Sequence, residues 1–138
     1  MKLIIILFLP FSLNFCFGQE DGPHQIDQEL NSCLDSIQNF TSEKMIPCIS
    51  EALDSWNNVL NKNYKELELL LSEKEKEKLS ISQKKWTEHL NEEVDFLTQI
   101  IKKKKPDSWL PVSQSMKLDL IKKRALEIEE LIMILTNK

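Results

Sequence analysis

Met45–Leu71, MIPCISEALDSWNNVLNKNYKELELLL, carries Met45, Ile49, Ala52, Trp56, Leu60, Leu67 and Leu71 at steps of three, four or seven residues, with Tyr64 near the same face. That period belongs to a helix with one apolar stripe, because side chains three and four apart share a helix face while a strand would alternate. Pro47 complicates only the start. A proline fits the first helical position, where its missing N–H would be unpaired anyway. The helix therefore begins at Pro47, or it begins near Glu43 and bends.

The same period extends on both sides. Upstream, Ile26, Leu30, Cys33, Leu34 and Ile37 give a first helix over about Gln25 to Asn39, and Asn39 to Ser42 forms a turn. Downstream, Ser72 can cap a helix whose first turn carries Glu73 and Glu75. Its apolar series is Leu79, Trp86, Leu90, Leu97, Ile100 and Ile101, with Gln83 and Val94 close to the stripe. It closes on Lys102 to Lys105, where positive charge suits the helix C-terminus, and Pro106 stops it. Pro106 to Gln114 reads as a loop, and Ser115 as the cap of a fourth helix bearing Leu118, Ile121, Ala125, Ile128, Ile132 and Leu135. Glycine occurs twice in the chain, at Gly18 and Gly22. The expected fold is all-α: a small antiparallel bundle of about four helices joined as hairpins and stapled by one disulfide.

Residues 1–18 read as a signal peptide. Lys2 gives a positive start, Leu3 to Phe17 is apolar but for Pro10, Ser12 and Asn14, and cleavage is expected between Gly18 and Gln19. The run is too short to span a bilayer. Lipid attachment at Cys16 is disfavoured, because bulky Phe15 sits where such sites want a small residue. Residues 19–138 then form one helical domain, secreted or periplasmic, with no stable membrane insertion. Loss of Lys2 takes the net charge from -4 to -5. That sign argues against nucleic acid as a partner.

Cys33 and Cys48 remain after processing, and an even count in an oxidising compartment favours a disulfide between them. Neither His24 nor His89 lies at ligand spacing from the cysteines, and neither belongs to an arrangement that would make a triad. Glu92–Glu93 and Glu129–Glu130 are adjacent on helices and point in different directions, so they are no catalytic carboxyl pair. No catalytic residue, metal site or cofactor is expected.

Cys33 and Cys48, then Leu60-Asn61 with Tyr64, then Leu79, Ser82-Gln83 and Trp86, and finally Arg124-Ala125-Leu126 stand in an order that resembles the N-terminal domain of the LprI-type lysozyme inhibitors. The resemblance covers about residues 25–135. It implies an exported bacterial protein that binds and blocks lysozyme, with Leu60, Asn61, Tyr64, Gln83, Trp86 and Arg124 as motif residues. The alternative is a periplasmic structural or chaperone-like module with another protein partner. The chain departs from the family pattern where a second cysteine pair is usual, with Val94 and Met116 near those places. Leu90 stands where an arginine is usual. If an apolar contact replaces that cross-link, Val94 and Met116 should touch between the third and fourth helices.

Three tryptophans remain to be placed. Trp56 and Trp86 fall on apolar stripes and are expected in the core, with Gln83 or Asn61 as partners for their indole N–H groups. Trp109, in the loop between Pro106 and Pro111, is either a lid over the bundle end or an exposed binding anchor. Glu73 to Lys78 alternates in sign as a solvated helix start does. Lys102 to Lys105 is explained by its place at a helix end.

Overall fold

The computed structural model describes residues 22, 24–39 and 41–136, and the leader read over residues 1–18, with its cleavage point and Cys16, lies outside them. Four helices follow in order: α1 (Gln25–Asp35), α2 (Ser42–Leu70), α3 (Glu73–Lys104) and α4 (Trp109–Thr136). The described residues contain no strand.

The helix ends show which local rules prevailed. α1 stops at Asp35, short of Asn39, because the Ser36 hydroxyl donates to the Cys33 carbonyl at 2.7 Å and competes with the next helical turn. α2 starts at Ser42, so Pro47 lies inside the helix and the earlier of the two starts applies. Pro47 and Glu43 are both exposed, so water can serve the Glu43 carbonyl that the proline leaves without a donor. Between α2 and α3 only Leu71 and Ser72 intervene. The Ser72 backbone N–H and hydroxyl both donate to the Glu75 carboxylate, at 2.8 and 2.5 Å. Those two bonds, the hydroxyl's first, hold the Glu75 carboxyl below its ordinary range.

At the other end of α3 the expected loop is much shorter than Pro106–Gln114. α4 begins at Trp109, and Ser115 lies within it instead of capping it. The reason is Pro111, the third residue of α4, where the backbone N–H would have no intrahelical acceptor; a proline there opens a helix as readily as it ends one.

α4 is the centre of the packing. α2 and α3 both pack on α4 and only weakly on each other, and α1 packs on α2. Consecutive helices run antiparallel, while α2 and α4 run parallel. Near their starts the Ser42 hydroxyl donates to the Asp107 carbonyl at 2.8 Å, and farther along Asn63 meets Ala125. The buried side chains lie along that seam: Ile49, Ala52, Trp56, Leu60 and Leu67 from α2, and Leu118, Ile121, Ala125, Ile128 and Ile132 from α4. α3 adds only Leu79 and Leu90. Trp86 is half-buried against this core, not inside it, and Ile100 is exposed. The disulfide joins Cys33 of α1 to Cys48 of α2 with the Cα atoms 5.8 Å apart.

α3 and α4 are held in register by Thr98 and Ser113, whose hydroxyls lie 2.5 Å apart, and by Gln83 and Arg124 farther along. Val94 is one turn from Thr98, and Met116 is one turn from Ser113 in the opposite chain sense. The two therefore fall level with each other. Val94→Cys with Met116→Cys should oxidise spontaneously and raise the melting temperature. Thiols that stay free under air, read by thiol titration, would place the Cα atoms beyond the about 7 Å that a bridge can span.

Candidate functional site

The residues that carry the family resemblance build two cross-helix clasps. Arg124 and Ala125 are neighbours on α4, so they point toward different helices. Arg124 reaches α3, where its Nε donates to Gln83 Oε1 at 3.2 Å and its Nη2 to the Ser82 hydroxyl at 3.3 Å. Its guanidinium carbon lies 5.9 Å from the centre of the Trp86 ring, and its Nη1 lies 3.3 Å from Glu127. Guanidinium over an indole face contributes about 0.5–1 kcal/mol when partly exposed. Gln83, Trp86 and Arg124 thus come together, and their work is to fix α3 on α4.

Ala125 faces α2 and is fully buried. Its small side chain lets α2 approach closely enough for Asn63 Nδ2 to donate to the Ala125 carbonyl at 3.2 Å. Asn63, not Asn61, is therefore the buried asparagine of α2, and Asn61 is exposed. Leu60 lies in the core and Tyr64 half-buried beside it. Burial pushes the Tyr64 phenol up, Glu68 beside it pushes it further, and Ser80 opposes in part, so the hydroxyl stays a neutral donor.

A third cluster ties down α1. The fully buried Trp56 donates its indole N–H to Asp27 Oδ1 at 3.2 Å, the partner for which Gln83 or Asn61 had stood as candidates. Lys122 pairs with the other oxygen of Asp27, and its ammonium lies 5.5 Å from the Trp56 ring centre. The His24 ring packs 4.4 Å from the same indole while its Nδ1 accepts the Ile26 N–H and caps α1. Asp27 is the residue that local spacing could not supply.

Trp109 sits in the first turn of α4 and is half-buried. The Lys102 ammonium lies 4.9 Å from the centre of its ring. Whether Trp109 serves as lid or anchor, part of its ring is free and one cation, Lys102, lies over it.

Among the described residues, no group of three His, Cys, Asp or Glu side chains is placed to hold a metal ion. No helix among them is long and apolar enough to cross a membrane. Beside the disulfide, a cleft of about 110 Å³ is lined by residues including Ile26, Glu29, Leu30 and Glu51. That is below the several hundred Å³ typical of a small-molecule site. Larger depressions, of about 300 Å³ beside Leu67 and Leu79 and about 720 Å³ beside His24 and Asp27, lie more open to solvent.

A family model described as lysozyme inhibitor LprI matches residues 33–128. No curated protein and no solved structure matches the chain.

Proposed function

The chain belongs to the LprI lysozyme-inhibitor family, and from that premise we propose that it is an exported protein that binds a lysozyme and blocks its action. The family is one of inhibitors and not of enzymes, and its function implies a protein partner. The observation that carries the reading is the match over residues 33–128, which runs from Cys33 of the disulfide to the buried Ile128 of α4. Charge supports it. Many lysozymes are strongly basic, and a chain of net charge -4 is steered toward them. A disulfide also suits a protein that works outside the cytosol. Trp109 is a poorer anchor for such a partner than a loop position would make it. Lys102 covers one face of its ring, and Lys103, Lys104 and Lys105 follow, all of the partner's own sign.

Protein comprising residues 19–138 should slow lysozyme on cell-wall substrate at micromolar concentration or below. Raising salt from about 50 mM to about 300 mM should weaken the inhibition by about tenfold, because attraction between exposed charges is screened. Full lysis with the chain in excess, tested against both animal-type and invertebrate-type lysozymes, would favour a structural or chaperone-like envelope module instead.

A further inference from the structure

α3 is the longest helix and the least covered of the three long ones. Only Leu79 and Leu90 are buried in it, because α2 packs on α4 and barely touches α3. The side toward the core runs through Leu79, Trp86, Leu90 and Val94. On the opposite side Glu88, Glu92, Asp95 and Gln99 follow at steps of four, three and four, which places them on one ridge about 17 Å long at helical rise. All four are exposed, and Gln99 Nε2 donates to Asp95 Oδ2 at 2.8 Å along the ridge. Beside the ridge lie Phe96 and Ile100, 56% and 47% exposed.

The charge along this stretch is segregated. No lysine or arginine occurs between Lys85 and Lys102. Among the described residues the ion pairs are Lys76–Glu73, Lys122–Asp27 and Arg124–Glu127, so none engages Glu88, Glu92 or Asp95. At its start α3 alternates signs, as a merely solvated helix face does. Here one sign stands alone around an uncovered phenyl ring. An aromatic side chain rimmed by charges is the make-up of an interface anchor: the ring is desolvated on binding and the rim selects a partner of opposite sign.

We propose that this outer face of α3, centred on Phe96, is the surface that meets the basic lysozyme; the inference rests on the inhibitor reading above. Ammonium and guanidinium groups of the partner face Glu88, Glu92 and Asp95, and Phe96 with Ile100 enters an apolar depression among them. Exposed Lys84 and Lys85 before the ridge and Lys102 to Lys105 after it repel a basic partner, so it sits between them, over Glu88 to Ile100.

The test is calorimetric titration of an animal-type lysozyme with residues 19–138 at low salt. Four proteins are compared: the unaltered chain, Phe96→Ala, the double change Glu88→Lys with Glu92→Lys, and a control, Glu129→Lys with Glu130→Lys. The control makes the same change of net charge at exposed positions of α4. Phe96→Ala and the α3 double change should each weaken binding by at least about tenfold, and the control by less than about threefold. All the altered side chains are exposed, so circular dichroism should find the helix content of every variant unchanged. Equal binding by all four proteins would overturn the α3 face and leave lysozyme binding standing. A control as weak as the α3 double change would reduce the effect to net charge and overturn it too. An unaltered chain that binds no lysozyme would overturn the inhibitor reading, and this inference with it.

Discussion

Trp56→Ala should lower the stability of the domain by about 3–5 kcal/mol, a large share of the about 5–15 kcal/mol that a small domain has in all. Trp56 is fully buried where α1, α2 and α4 meet. Its removal leaves a cavity between packed helices and takes away the indole donor of Asp27. The surroundings collapse poorly, because His24, Asp27 and Lys122 are each positioned against the ring. Trp56→Phe separates the contributions: it keeps most of the volume and loses the hydrogen bond, for about 1–2 kcal/mol. Trp86→Ala supplies the contrast, since a half-buried ring under Arg124 should cost clearly less than Trp56→Ala. Urea unfolding followed by circular dichroism measures all three. Equal losses from Trp56→Ala and Trp86→Ala would contradict the placement of the two rings.

Cys33→Ala with Cys48→Ala should cost about 3 kcal/mol in the chain-entropy model for a loop of this length. The two cysteines are 15 residues apart. The loss should be local. α1 has 11 residues and no buried side chain. A helix so short is marginal on its own. It is held at its C-terminal end by the disulfide and at its start by the Asp27 bonds to Trp56 and Lys122. Hydrogen exchange should therefore show protection falling in α1 while α2, α3 and the buried half of α4 keep theirs. Protection that falls evenly over all four helices would mean that α1 is part of the central cooperative unit.

The sequence made the helices legible because their signals are local. The Ser72–Glu75 cap, the stripe of α2 and the lysines at the end of α3 all lie within a turn or two of what they specify. The start of α4 was misread for a related reason: Pro106 and Pro111 look alike in a sequence, yet one ends a helix and the other opens one. The disulfide followed from an even cysteine count. What escaped was long-range. Asp27 is 29 residues from the indole whose N–H it accepts, on a different helix that no pattern within α2 can point to. Asn61 and Asn63 differ only in which side of α2 they occupy relative to Ala125. The stripe of α3 told which side faces inward but not how much of the helix its neighbours cover. Trp86 was therefore placed too deep, and Phe96 and Ile100 were not recognised as uncovered.

The parallel course of α2 and α4 makes α3 a ruler. A chain that leaves the end of α2 and must start α4 beside the start of α2 has to travel back the full length of the pair. α3 does so in one rod of 32 residues, about 48 Å at about 1.5 Å per residue. The contact of Ser42 with Asp107, 65 residues apart in sequence, is thus set by the length of a third element that neither residue belongs to. Inserting or deleting a turn in α3 slides α4 along α2 by about 5.4 Å and takes Ala125 away from Asn63. The lengths of α2, α3 and α4 can change only together, and a surface borne on the rod keeps its distance from both ends of the bundle.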